Sequence, residues 1–203
     1  MAQLILATNN KNKLREIREI LADTDLTVVS QSEAGIFLDV DETGTTFAEN
    51  AKLKAEAIFA EMQARGMAGW VLADDSGLSV DALNGEPGVY SHRWAGENAT
   101  DADRCAKMLD AMKDVPDGQR GAHFACVMCL IAPDGQAHLF EGRVEGEILR
   151  EARGSNGFGY DPVFGYQGRS FAEVPAEEKN AVSHRRNALV QAAAWLRDAS
   201  ASH

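Results

Sequence analysis

The chain is short of cysteine, proline and basic residues, and it has no long apolar run. Cysteine occurs only as Cys105, Cys126 and Cys129. An odd count this small excludes a disulfide framework. Cys126-Val127-Met128-Cys129 has C-x-x-C spacing, but redox motifs of that type open a helix after a strand. Here the spacing falls inside Phe124–Ile131, an apolar run that reads as a buried strand, so both thiols read as small core residues on opposite faces. No apolar run approaches the roughly 18 residues that span a bilayer, so no membrane segment is expected. No basic region precedes Leu4-Ile5-Leu6, and Met1–Leu6 therefore reads as a first strand and not as a signal peptide. A cytoplasmic location is the resulting expectation. Lys and Arg total 20 against 31 Asp and Glu, a formal net charge of −11. That balance argues against a nucleic-acid polymer as partner, because neutralised phosphates supply most of such affinity. One small anion remains compatible if a few cations converge on it and a metal assists. With five prolines in 203 residues there is no linker, repeat or low-complexity tract. The expectation is one domain, residues 1–203, with room for two lobes around a cleft.

The order of patterns is α/β. Leu4–Ala7 is a short apolar strand, a polar turn follows, and Leu14, Ile17, Ile20 and Leu21 share a helical face before a second strand at Thr27-Val28-Val29. The longest helical pattern runs from Thr45 to Arg65 and is ended by Gly66 and Gly69. A short strand, Trp70-Val71-Leu72, then leads into an acidic turn, Ala73-Asp74-Asp75-Ser76-Gly77, and a further apolar piece, Leu78–Asp81. Thr100 N-caps a helix to Met112. Strands at about 122–131 and 137–149 flank Pro133-Asp134-Gly135, a hairpin turn. Residues 154–168 are glycine-rich, aromatic and irregular, and a closing helix spans about 183–197.

Five segments carry residue types suited to chemistry. Asp74 and Asp75 are costly at the mouth of a buried strand unless a cation sits there. In extended backbone they face opposite ways, so one can face a metal while the other holds the turn. Thr8-Asn9-Asn10-Lys11-Asn12-Lys13 leaves a strand and opens a helix, the place where backbone N–H groups and lysines receive an anion. It lacks the G-x-x-x-x-G-K pattern of a Walker loop, and a polar loop with surface lysines is an equal reading. Glu49 fits the capping box Thr46-Phe47-Ala48-Glu49, yet it could also pair with Asp75 on Mg2+, which one or two carboxylates usually hold together with phosphates. Gly157-Phe158-Gly159-Tyr160-Asp161 offers stacking surface, close approach and an acceptor for ring N–H groups, although a glycine-aromatic loop at the core edge is also consistent. Finally, Lys179, His184 and Arg185 lie in a segment whose Ser183 is an N-cap. Cations in a first helical turn oppose the helix dipole, which suggests an anionic partner.

In their order along the chain these segments are similar to those of the inosine triphosphate pyrophosphatase family. The stretches are Ala7–Lys11, Thr46–Ala51, Leu72–Asp81 with Asn84–Ser91, Gly157–Phe164, and Phe171-Ala172-Glu173 through Lys179-Asn180 to Ser183-His184-Arg185. The resemblance implies an elongated mixed β-sheet with flanking helices and two lobes around a nucleotide-binding cleft. It also implies a homodimeric, Mg2+-dependent hydrolase that converts dITP, ITP or XTP to the monophosphate and pyrophosphate. Carried over by position, Thr8 to Lys13 would hold the triphosphate, Glu49 and Asp75 the metal, and Asp75 would accept the proton. Ser76 would touch substrate, Phe158, Gly159, Tyr160 and Asp161 would cover the base, and Lys179, His184 and Arg185 would complete the base and phosphate contacts. Asn12 stands where many relatives have glycine, and asparagine is the next best residue for a left-handed backbone. His92 and Trp94 also depart from the common pattern. Two rival functions are a pyrophosphatase for modified pyrimidine triphosphates and a nucleotide-sensing module without catalysis.

Overall fold

A computed structural model describes residues 3–22 and 26–201; Met1 and Ala2 of the expected first strand lie outside them. The described elements run β1 (Gln3–Leu6), α1 (Lys11–Ile20), β2 (Thr27–Ser30), α2 (Phe47–Ala64), β3 (Trp70–Val80), α3 (Asp101–Ala111), β4 (Gly121–Ile131), β5 (Ala137–Ile148), β6 (Phe164–Tyr166), β7 (Arg169–Ser170), α4 (Ala176–Val182) and α5 (His184–Ala201). The strands form a mixed sheet in the order β2-β1-β3-β4-β5-β6-β7. β1 is parallel to β2 and β3, and β6 is antiparallel to β5 and β7. No helix of the described residues is long and apolar enough to cross a membrane.

The chain divides into two compact units, 1–75 with 126–142 and 185–203, and 76–125 with 143–184. In the first unit, strand alternation sends side chains into two separate cores. Leu4, Leu6, Leu72, Cys126, Met128 and Leu130 pack with Ile17 and Leu21 of the α1 region and with Leu189 and Leu196 of α5. Ile5, Val71, Ala73, Cys129 and Ile131 pack instead with Ala51, Ala55, Ile58 and Met62 of α2. Cys126 and Cys129 therefore do lie on opposite faces as core residues. The burying face of α2 repeats every three to four residues, as a helix on a sheet requires. Its start is fixed by the capping box of Thr46 and Glu49, and Gly66, with φ +66°, follows its last turn.

In the second unit Leu78 and Val80 of β3 pack with Cys105 and Met108 of α3, Phe124 of β4, Ile148 of β5 and the aromatic cluster of Tyr160, Phe164 and Phe171. Thr100 and Asp103 form the capping box of α3. β5 approaches β6 closely: a Cβ on Gly146 would lie 2.3 Å from the Gly165 carbonyl oxygen and 2.6 Å from the Phe164 ring.

One expectation needs correction. The acidic segment 73–77 is not a turn, because β3 runs unbroken from Trp70 to Val80. The carboxylates are tolerated within a buried strand because cations from the helices meet them, as described below. The segment before Ser183 forms α4, which ends at Val182, and extended Ser183 stands between it and α5, which starts at His184 as an N-cap at Ser183 requires. Gly146→Ala should destabilise the protein by about 2 kcal/mol or more, the scale of overpacking against a backbone that cannot withdraw. An unchanged urea midpoint would show that β6 yields.

Candidate active site

The geometry follows from where β3 changes from apolar to acidic. Leu72 points into the core shared with α1 and α5, and Ala73 into the core shared with α2. The same alternation carries Asp74 to the first face and Asp75 to the second. Each carboxylate is buried, at 1% and 5% exposure, and each meets cations from the helices of its own face.

Asp74 Oδ2 lies 3.0 Å from Lys13 Nζ of α1 and 3.5 Å from Arg185 Nε of α5. Burial raises the Asp74 carboxyl, but Lys13, Arg185 and Lys54 together outweigh it and hold the group well below the ordinary carboxylate range. Arg185 is 1% exposed and also pairs with Glu16 of α1, which is itself buried. Its own charge is strengthened against burial by Glu16 and Asp74. The anionic partners that its unfavourable place at a helix start suggested are therefore two carboxylates of this chain.

Asp75 is met differently. Its Oδ2 accepts a hydrogen bond from Asn50 Nδ2 at 3.0 Å, and its Oδ1 lies 3.9 Å from Lys54 Nζ. Asn50 is oriented from behind, because its Oδ1 accepts the Gly44 N–H at 2.8 Å. Lys54 is shared, since its Nζ also bonds Glu42 at 3.0 Å. Here burial outweighs the cations. It pushes the Asp75 carboxyl from the ordinary 3.8 up to about 6 against the pull of Lys54 and Lys13, and Glu42 adds to the rise. Asn50 and Lys54 are one helical turn apart on α2 and reach the same carboxylate. Neither stood out in the sequence, where both read as ordinary helix residues. Their spacing on the face of Ala51 and Ala55 was the available signal.

The other expected residues of this unit fall at or near the same strands. Asn10 caps α1, and its side chain accepts the N–H groups of Asn12 and Lys13 at 2.9 and 3.2 Å. Thr8 Oγ1 in turn accepts the Asn10 N–H at 3.1 Å. Lys11 and Asn9 are exposed. Asn12 lies inside α1 and is not among the residues with positive φ, so this position makes no demand that glycine alone could meet. Glu49 is exposed, and its Oε2 accepts from the N–H groups of Thr45 and Thr46 and from the Thr45 hydroxyl. It follows Ala48 and precedes Asn50, so it opens the helix turn that contacts Asp75. Among the described residues no three carboxylate, His or Cys side chains gather as a metal cluster.

The second unit holds Ser76, next to Asp75 in β3, and the aromatic segment. Phe158 and Gly159 are half-buried, Tyr160 and Asp161 buried. Asp161 Oδ2 accepts the Phe158 N–H at 3.0 Å and pairs with Lys179 Nζ at 2.5 Å. That ammonium also sits 4.9 Å from the centre of the Phe158 ring. A Cβ on Gly157 would come within 2.0 Å of Asp161 Oδ2, and φ there is +73°, so glycine is required for both reasons. His184 stacks on Phe124 with ring centres 4.9 Å apart. This arrangement offers a ring face, a buried cation and a buried carboxylate at one loop.

The matches to known proteins cover nearly the whole chain. Residues 4–195 match the model of the Ham1 family. A dITP/XTP pyrophosphatase of Photorhabdus laumondii is 48% identical over 98% of this chain and 100% of its own length. One from Clostridium perfringens is 46% identical over 93% and 94%. Among solved structures, a HAM1 protein from Coxiella burnetii aligns with a TM-score of 0.86 at 44% identity, covering 98% of this chain and 100% of that one. The Staphylococcus aureus Ham1 protein gives 0.83 at 41%, covering 97% and 98%.

The raised Asp75 carboxyl makes a stability prediction. The unfolded chain releases this proton near 3.8 and the folded chain near 6. The folded state thus holds the extra proton between those values, and this group makes stability fall as pH rises through that window. In metal-free buffer at pH 7.5, Asp75→Asn should therefore be more stable than the parent by about 1–3 kcal/mol, and the gap should close toward pH 4. Urea unfolding across pH measures it, and a destabilised Asn variant at pH 7.5 would contradict the electrostatic picture.

Proposed function

The chain belongs to the Ham1 family, and from that premise we propose that it hydrolyses the non-standard purine triphosphates dITP, ITP and XTP to the monophosphate and pyrophosphate. The observation that carries the catalytic part is the unequal pair in β3: Asp74 is held ionised by Lys13 and Arg185, while Asp75 is raised toward neutrality. A carboxylate that titrates near 6 is ionised at neutral pH yet basic enough to take a proton from water. Asp75 is the proton acceptor in this reading, and Asn50 and Lys54 fix its orientation.

The triphosphate is received by Thr8, Asn9, Asn10, Lys11, Asn12 and Lys13 at the start of α1, where backbone N–H groups and ammonium charges favour an anion. Lys54 adds positive charge beside Asp75. Arg185 enters through Asp74, which it keeps ionised, and so fixes the place of Lys13. For the base, within the second unit, Phe158 provides a stacking face and Gly159 and Tyr160 its backing. Asp161 and Lys179 supply an acceptor and a donor, and His184 and Ser76 complete the set. A donor for the 6-oxo group discriminates against adenine, because a mismatched amine leaves buried polar groups without partners.

The donor chemistry fits Mg2+: Asp75 and Glu49 would supply carboxylate oxygens, and burial disfavours an ionised Asp75 that no added cation meets. Mg2+ is usually held by one or two carboxylates together with substrate phosphates. When bound, the ion would neutralise charge developing on the phosphates. Family resemblance also supports a homodimer and a cytoplasmic location as parts of the proposal.

Pyrophosphate release from dITP, ITP, XTP, GTP and ATP, with Mg2+ and with EDTA, is the test. The first three substrates should exceed GTP and ATP in kcat/KM by about 100-fold or more, since a site built around specific hydrogen bonds can reject a mismatched group by roughly 10,000-fold. Chelation should stop turnover. Asp75→Asn should lower kcat by about 1,000-fold, within the range for loss of a general base, while the protein stays folded. Equal rates for GTP and ITP, or an active Asp75→Asn variant, would refute the assignment.

A further inference from the structure

We propose that Asp101 and Arg104, in the first turn of α3, are positioning residues that set the backbone of loop 157–161 and through it the affinity for the purine base. The inference rests on the reading of that loop as the base site. The loop needs external support, because Gly157 and Gly159 adopt φ of +73° and +64° and leave it with little conformational restriction of its own. Phe158 bonds Asp161 within the loop, and Asp161 is held by Lys179 and by the Ala172 N–H at 3.3 Å, which secures the end of the loop. The anchor for Gly159 comes from α3. The Gly159 N–H donates to Asp101 Oδ2 at 2.9 Å, and Cys105 Sγ approaches the Gly159 carbonyl oxygen at 3.4 Å. Tyr160 Oη donates to the Ser91 carbonyl at 2.7 Å on the next residue of the loop.

Asp101 would rotate freely if it stood alone, since its side chain is 50% exposed. Arg104 prevents this. Its Nη1 donates to Asp101 Oδ1 at 2.6 Å, and its Nε donates to the His92 carbonyl oxygen at 2.6 Å. The guanidinium is 7% exposed and thus fixed by packing as well as by bonds. A continuous link therefore runs from the segment holding His92, through Arg104 and Asp101, to the amide between Phe158 and Gly159. Charge-assisted bonds of this kind are shorter and stronger than neutral ones. Helix capping does not account for Asp101, because Thr100 and Asp103 already form the capping box. Asp101 is the remaining first-turn carboxylate, and both of its oxygens are committed to the link.

The test compares Asp101→Ala, Asp101→Asn, Arg104→Met and Asp103→Ala. It reads KM and kcat for ITP, the inhibition constant of inorganic tripolyphosphate, Tm, and hydrogen exchange of the Gly159 amide. Tripolyphosphate carries the charged end of the substrate without a base. Asp101→Ala should raise KM for ITP about tenfold, the scale of one hydrogen bond to a charged group, with kcat and the tripolyphosphate constant within about twofold. Arg104→Met should act in the same direction, and Asp101→Asn, which keeps an oxygen for Gly159, should recover part of the loss. Asp103→Ala should lower Tm and leave KM in place. Exchange at Gly159 should accelerate in Asp101→Ala and not in Asp103→Ala. An unchanged KM in Asp101→Ala, or KM and the tripolyphosphate constant rising together, would overturn the proposal. Failure of the parent protein to turn over ITP would instead overturn the base-site reading, and it would be seen before any variant is compared.

Discussion

Two adjacent carboxylates inside one buried strand are the constraint on which the first unit depends. An ion without partners in such a place costs several kcal/mol, so each must be answered. Strand geometry prevents one cation from answering both, because neighbours point to opposite faces. Asp74 is answered by α1 and α5 through Lys13 and Arg185, and Asp75 by α2 through Asn50 and Lys54. Both helical layers must be seated before β3 can hold its charges. The apolar clusters that seat them, with Leu72 on one side and Ala73 on the other, thereby also align the polar groups.

Identical side chains one residue apart acquire different chemistry from this division. Asp74 has two close cations and stays ionised; Asp75 shares one lysine with Glu42 and is pushed toward neutrality. Environments that push two titratable groups apart are the general means by which one site keeps a fixed charge and a proton acceptor together. The second unit joins a buried acid and a buried base directly. Asp161 and Lys179 are both buried and paired, with an aromatic ring against the ammonium. A removed partner there would leave a buried charge, so the pair is better suited to recognition than to proton transfer.

Periodicity made most of the framework legible. The α1 face at Leu14, Ile17 and Leu21, the Thr100 cap, the turn at 133–135 and the opposed thiols of β4 all follow from local rules that tertiary packing leaves in force. The segment 73–77 reads as a turn because two aspartates and a glycine break a strand locally, and only cations from distant helices reverse that preference. The same cause hid Glu16, Asn50, Lys54 and Arg104. Each sits in a helix where polar residues normally face water, and its function depends on which carboxylate or carbonyl the fold brings opposite. Asn12 failed in the other direction: a glycine-like backbone was expected there, whereas the residue is simply helical. Glu49 shows that a local rule and a site can share a residue, since its capping box is formed at the turn whose next residue binds Asp75.

The places where this chain breaks its own rules locate its cost. A protein selected for stability alone would put an apolar residue or an asparagine at position 75, where an ionised carboxylate is undercompensated. The fold keeps the carboxylate and spends the rest of the strand, with Leu72, Ala73, Leu78 and Val80 fully buried, on holding it in place. Sites that violate patterning while their surroundings obey it are where function is expected. Loop 157–161 follows the same logic with backbone in place of charge. Its two left-handed glycines sacrifice rigidity, and a bond from a neighbouring helix to one amide restores it. In each unit the locally costly feature, the Asp75 carboxylate in one and the Gly159 backbone in the other, is held by a neighbourhood that the apolar pattern of the sequence encodes.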